Sequence, residues 1–220
     1  MNRRTLILSS TAIVVGAFGA AAWWTNQPGP AQDIGTVAPE ILGLLERPYS
    51  PVLGPDDAPV TIVEFFDPAC EACRAFHPLV KDIMEQYPDE VRVVIRYTPF
   101  HGESSEAAIR ALEAARMQGV FFPVLEALLA YQNTWARRGP SVPGEIMNIA
   151  GGAGLDVEAA RTQMELPGVV ATLNQDRADV EAVGVRQTPT FFVNGELLDP
   201  FGGDELRTLV DREVAATREL

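Results

Sequence analysis

The chain has 220 residues, 47% hydrophobic and 21% charged, long enough for one domain with a sizeable core and too apolar for wholesale disorder. Its 17 basic and 30 acidic residues give a formal charge of −13. That balance argues against a nucleic-acid partner, whose affinity would come from clustered Lys and Arg.

The first 24 residues stand apart. Asn2, Arg3 and Arg4 form a basic head, and Leu6–Trp24 then runs for 19 residues without a charge. As a helix that run is about 28 Å long, close to the roughly 30 Å hydrocarbon core of a bilayer. Residues 1–24 therefore read as an export signal or an N-terminal membrane anchor. Ala20-Ala21-Ala22 offers the small residues that a signal peptidase accepts, whereas Trp23 and Trp24 sit where aromatics anchor a spanning helix. The head also resembles a twin-arginine signal, although two arginines serve as the head of any export signal. Either way, residues 25–220 are expected to be periplasmic or otherwise extracytoplasmic, soluble after cleavage or tethered to the inner membrane. Disulfides form and persist in such a compartment.

Residues 25–58 are rich in Pro and Gly and read as a tether, with a short helix near Glu40–Glu46. Val60–Phe66 is a β-rich apolar run bounded by prolines, the pattern of a buried strand. Helical spacing follows: Cys73, Phe76, Val80, Ile83, Met84 and Tyr87 share a face, and Pro88 closes the segment. Val91–Tyr97 is a second strand, near-continuous in Val and Ile as a buried parallel strand should be. Strand, helix, strand makes a βαβ unit. From about 104 to 184 the sequence turns Ala-, Glu- and Arg-rich, a block of four or five helices broken at Gly119, Gly139-Pro140, Gly151-Gly152 and Pro167-Gly168. Thr190–Val193 is a short strand, Asn194-Gly195 a hairpin turn, Glu196–Leu198 its partner, and 204–218 a closing helix.

The two cysteines of the chain are spaced as Cys70-Glu71-Ala72-Cys73. Three readings compete for them. A structural zinc site needs four ligands, and Cys70, Cys73 and His77 leave it one short. A structural disulfide across so small a loop would constrain the unfolded chain little. A redox pair explains the placement, after a buried strand and at the first turn of a helix. There the free N–H groups and the helix dipole favour a thiolate on Cys70, and Cys73, one turn inward, is the shielded resolving thiol.

Residues from about 50 to 218 resemble the thioredoxin superfamily, and its DsbA-like branch in particular. The resemblance rests on Val63-Glu64-Phe65-Phe66 leading to the cysteine pair, on the helical block, and on Val185-Arg186-Gln187-Thr188-Pro189-Thr190-Phe191-Phe192-Val193-Asn194-Gly195. It implies an α/β, thioredoxin-like fold over residues 59–220 with an inserted helical block. It implies a cis-proline at Pro189 opposite the cysteines, and Thr188 pairing its backbone with an extended substrate peptide. It also implies that Glu64 lies beneath the pair and helps move the proton of the buried thiol. An ion pair of Glu64 with Arg92 or Arg96 is the plainer explanation of a carboxylate in an apolar strand.

The implied activity is thiol–disulfide exchange with exported cysteine-containing proteins, with a membrane redox partner and no diffusible cofactor or metal. Catalysis would rest on Cys70, Cys73 and Glu64. Strong oxidants of this branch commonly carry Pro-His between the cysteines, where this chain has Glu71-Ala72. A negative Glu71 raises the thiolate pKa relative to a neutral residue, so a potential of about −150 to −250 mV is expected, which leaves the direction of electron flow open. A reductase or isomerase fed by a membrane reductase is the rival enzyme. A non-catalytic chaperone, or a metal carrier using Cys70, Cys73 and His77, is the rival outside the enzymes. His77 reads as a helix-surface residue, His101 as part of a connecting loop, and Phe121, Phe122, Tyr131 and Trp135 as core.

Overall fold

A computed structural model describes residues 39–136 and 142–219. The expected export signal or anchor lies outside the described residues, as does the break at Gly139-Pro140.

Among the described residues, five strands form one sheet in the order β1-β3-β2-β4-β5. At its centre β2 (Val60–Phe66) is buried along its whole length. It pairs in parallel with β3 (Val91–Tyr97) and antiparallel with β4 (Thr190–Val193). The two-residue strands β1 (Val52–Leu53) and β5 (Glu196–Leu197) close the edges, each antiparallel to its neighbour. Central strands covered on both faces cannot alternate apolar with polar, which is why β2 and β3 read as continuous Val, Ile and Phe runs. Between β4 and β5, Asn194 and Gly195 hold φ of 47° and 83°, the positive values that a two-residue hairpin turn requires at both positions.

Helix α1 (Pro39–Leu45) precedes the sheet, and α2 (Glu71–Gln86) is the crossover between β2 and β3. The inserted block holds α3 (Glu103–Met117), α4 (Phe121–Ala130), α5 (Gln132–Trp135), α6 (Pro143–Gly152), α7 (Val157–Gln163) and α8 (Pro167–Val183). Helix α9 (Gly203–Thr217) follows β5. The block thus exceeds the expected four or five helices, because α5 and α7 span only one and two turns, too short to print a 3.6-residue period.

Alternation along β2 divides the layers. Val60, Ile62 and Phe66 join the larger core with α2, α9 and most of the helical block. Val63 and Phe65 face the other way, onto α1 and Val180 of α8. Burying each such side chain is worth about 1.5–3 kcal/mol.

The stretch expected to be a tether is partly built into the fold. Val52 and Leu53 extend the sheet, and Leu45 of α1 is buried. Arg47 donates to Asp179 at 2.7 and 2.8 Å, and the Tyr49 hydroxyl donates to Asp176 at 2.8 Å. These anchors converge on Arg96 of β3, fully buried, whose guanidinium donates to Asp176, Asp179 and the Leu44 carbonyl. Nothing in the local sequence announces them, since the partners lie 52 to 132 residues apart.

Candidate active site at the cysteine pair

Strand β2 ends at Phe66, and Asp67-Pro68-Ala69 leads to Cys70, the N-cap of α2. The first N–H groups of a helix have no partner within it and carry the positive end of its dipole, so a sulfur at this position faces donors. Asp67 shapes the approach. Its Oδ1 accepts from the Ala69 N–H at 2.9 Å and its carbonyl from the Cys70 N–H at 3.0 Å. Its own N–H donates to the Cys73 sulfur at 3.5 Å. Both cysteines are thiols; Cys70 is 7% exposed and Cys73 wholly buried. The Cys70 sulfur lies 3.2 Å from the Thr188 carbonyl oxygen, and the Thr188–Pro189 peptide is cis, as the motif implies. The Asp199–Pro200 peptide is cis as well.

The environment separates the two thiols. Cys70 is drawn down to about 5, first by the hydrogen bond from Cys73, with the Thr188 side chain and the Cys73 and Ala72 N–H groups adding to it. Burial and the Thr188 carbonyl favour the protonated thiol, and they are outweighed. Burial pushes Cys73 far above the ordinary thiol value, helped by the bond to Cys70 and the charge of Glu64. Burial likewise raises Glu64 to about 8, reinforced by the Cys70 charge. The principal influences on Cys70 do not include Glu71, which is exposed.

The expected ion pair of Glu64 with Arg92 or Arg96 is absent, and the strand register explains why. Thr61 aligns with Arg92 and Phe65 with Arg96, so both arginines share the face opposite to Glu64. Arg92 turns to Glu46 and Thr61 instead, and Arg96 to α8. Glu64 is left on the cysteine side of the sheet, 3% exposed, with burial and Cys70 as its main influences.

His77 is packed rather than on the surface. Its Nε2 meets Glu126 of α4 at 2.6 Å, and Lys81 reaches the same carboxylate at 3.2 Å. No cluster of three or more His, Cys, Asp or Glu suited to a metal occurs among the described residues. Of the aromatics expected in the core, Phe121 and Trp135 are buried, but Phe122 and Tyr131 are exposed. Helical spacing alone does not say which side of a stripe meets the core.

Three residues at the site escape a reading of the sequence. Asp67, fully buried, accepts the His101 ring Nδ1 at 2.7 Å, together with the Phe100 and His101 N–H groups. His101 is drawn up by this bond, with Cys70 and Glu71 adding their charge. Gln132 of α5 donates its Nε2 to the Pro68 carbonyl at 2.8 Å and the Cys70 carbonyl at 2.9 Å. Beside the Thr188 loop lie two depressions. One, of about 490 Å³, is lined by Phe100, Val185 and Arg186, and the other, of about 320 Å³, by Gln187, Thr190 and Phe201.

The family model described as Thioredoxin matches residues 46–212. A thioredoxin-like oxidoreductase from Silicibacter pomeroyi is similar at 34% identity and a TM-score of 0.69, covering 84% of this chain and 99% of that one. A periplasmic thioredoxin-like protein from Salmonella enterica serovar Typhimurium shares 28% identity, TM-score 0.63, over 81% and 98% of the two chains. BdbD from Bacillus subtilis, 24% identical with a TM-score of 0.68 over 82% and 97%, shares the fold. Among curated proteins, one called Na(+)/H(+) antiporter NhaA in Herminiimonas arsenicoxydans is 32% identical over 84% of this chain but only 30% of its own length. The chain spans less than a third of such relatives, and their antiporter name belongs to far longer proteins. This chain belongs to the thioredoxin family, with a block of helices inserted into the fold.

Proposed function

We propose that the chain exchanges disulfides with exported, cysteine-containing proteins, and that it works as a disulfide donor. The observation that carries this reading is the separation of the two thiols, Cys70 near 5 and Cys73 far above its ordinary value. A stable Cys70 thiolate favours the reduced pair, and a pair that prefers to be reduced gives its disulfide away.

In the oxidised protein a substrate thiolate attacks the Cys70 sulfur, the more accessible of the two. The Cys70–Cys73 bond breaks, and Cys73 leaves with the electron pair. Such a basic thiolate is a poor leaving group unless protonated. Glu64, whose pKa burial raises and which lies on the same side of the sheet, is the proton's source. A second substrate thiolate then attacks the substrate sulfur of the mixed disulfide and expels Cys70 as its stable thiolate. The substrate leaves oxidised, and both cysteines remain reduced until a membrane partner takes two electrons from them. No diffusible cofactor enters these steps. Thr188 and Pro189 border the sulfur where an extended peptide would lie, and Phe100 and Phe201, 47% and 42% exposed, offer apolar contacts on either side.

The charge-free run after Arg3 and Arg4 supports export and location beyond the membrane, cleaved or anchored. No helix among the described residues is long and apolar enough to cross a membrane. The test is trapping: oxidised chain is mixed with a reduced, unfolded cysteine protein and the products are separated without reductant. Cys73→Ser, activated as a mixed disulfide, should hold the substrate on Cys70, and Cys70→Ser should transfer nothing. Undiminished exchange by Cys70→Ser rejects the proposal.

A further inference from the structure

The cysteine pair opens α2, and one side chain of the inserted block reaches into the loop before it. Gln132, 1% exposed, is the first residue of the one-turn helix α5. Its amide nitrogen has two hydrogens and uses both, on the carbonyls of Pro68 and Cys70. Its oxygen is equally buried and has no hydrogen-bond partner among the described residues. A buried acceptor left without a protein partner is costly, and turning the amide over would bring that oxygen against two carbonyls. The donor end is therefore what this position uses.

The two carbonyls are not arbitrary ones. Pro68 lies in the turn that Asp67 shapes, and Cys70 is the N-cap of α2. Fixing the planes of the Pro68–Ala69 and Cys70–Glu71 peptides fixes the direction from which the Cys70 sulfur meets the N–H groups of Ala72 and Cys73. The Cys70 carbonyl also accepts from the Arg74 N–H at 3.2 Å, so Gln132 adds a second donor to a group already engaged by the helix. Sequence distance hides this link, because Gln132 stands 62 residues past Cys70.

We propose that Gln132 is a positioning residue of the cysteine pair, through which the inserted helical block sets how the first turn of α2 presents its donors to the Cys70 sulfur. The inference rests on the functional reading above and extends it: the block then tunes the chemistry besides covering the sheet. His77 and Lys81, bound to Glu126 of α4, tie a later turn of the same helix to the same block.

The test uses full-length chain carrying Gln132→Met, which keeps the bulk and removes the donors, and Gln132→Glu, which keeps the shape and replaces donors with acceptors. Trp135→Phe serves as the control, since Trp135 is buried in the same helix and donates to the Leu128 carbonyl, away from the cysteines. Thiolate absorbance is followed against pH in the reduced proteins, with the glutathione equilibrium measured alongside. Both Gln132 variants should need an about tenfold lower proton concentration to form the Cys70 thiolate, and should hold their disulfide more tightly, with Glu the stronger effect. Trp135→Phe should lose thermal stability with the titration unchanged. If both Gln132 variants titrate as the parent does, or Trp135→Phe shifts Cys70 as much as they do, the positioning role is wrong. If the parent itself forms no thiolate below neutral pH, the functional reading fails first.

Discussion

The Asp67 carboxylate holds the His101 ring nitrogen at 2.7 Å, while the Asp67 backbone N–H meets the Cys73 sulfur at 3.5 Å. One buried residue at the end of β2 thus joins an exposed imidazole to the concealed thiol. The chain lacks a histidine between its cysteines, and this loop supplies one nearby.

His101 is raised by its bond to Asp67, so its stabilising effect is complete below the unfolded histidine value of about 6.5 and is lost as pH rises through the folded value. His101→Gln should therefore cost stability at pH 5 to 6 and little at pH 8 to 9. The ring is half exposed, so the loss should stay within about 1 kcal/mol. Thermal unfolding across that range checks the sign, and a loss larger at pH 9 contradicts it. Asp67→Asn should cost more, about 1–3 kcal/mol, because the carboxylate is buried and engages several donors.

Cys70 and Glu64 pull the stability of the reduced protein in opposite directions. Cys70 near 5 lies below its ordinary 9.0, so stability rises with pH between those values. Glu64 near 8 lies above its ordinary 4.5, so stability falls with pH between those. Each slope is at most about 1.4 kcal/mol per pH unit. Compared with the parent, reduced Glu64→Gln should gain stability as pH rises from 5 to 8, and reduced Cys70→Ser should lose it. Glu64→Gln should also slow exchange about tenfold or more, through the missing proton donor. Parallel pH profiles for all three proteins would remove Glu64 from the mechanism.

Thr188→Val removes a side-chain group that favours the Cys70 thiolate and keeps the β-branched shape. The thiolate titration of this variant should move up from about 5, with the fold intact. An unshifted curve would leave the thiolate to the helix and Cys73 alone.

Arg96 gives the contrasting case, a charge network that serves the fold. Asp176→Ala leaves a buried guanidinium with Asp179 and one carbonyl, and should cost about 3–5 kcal/mol. Chemical denaturation measures the loss. The Cys70 titration should not move, because this network lies across the sheet from the cysteines.

Much of this was legible along the chain. Val60–Phe66, Val91–Tyr97 and Thr190–Val193 are strands with the bounds their apolar runs mark. Cys70 and Cys73 stand out by spacing, and Pro189 by the motif around it. What stayed hidden is what depends on distant partners. Asp67-Pro68 reads as a turn, and only the fold brings His101 to it from 34 residues on. Gln132 looks like any polar residue at a helix start. For Glu64 the proton role follows from the resemblance, while the plainer alternative of an arginine partner fails because the register places Arg92 and Arg96 on the other face. Val52–Leu53 is too short to print a strand pattern and by sequence reads as part of the tether.

The most direct test is the reduction potential of the Cys70–Cys73 pair, measured by equilibrating the full chain in glutathione buffers at pH 7. A disulfide donor with a thiolate as stable as this one should lie above about −200 mV, toward the roughly −120 mV of the strongest known oxidant. A value below about −200 mV, toward thioredoxin's roughly −270 mV, would mean that the pair prefers its disulfide, contradicting the donor role and identifying the chain as a reductase.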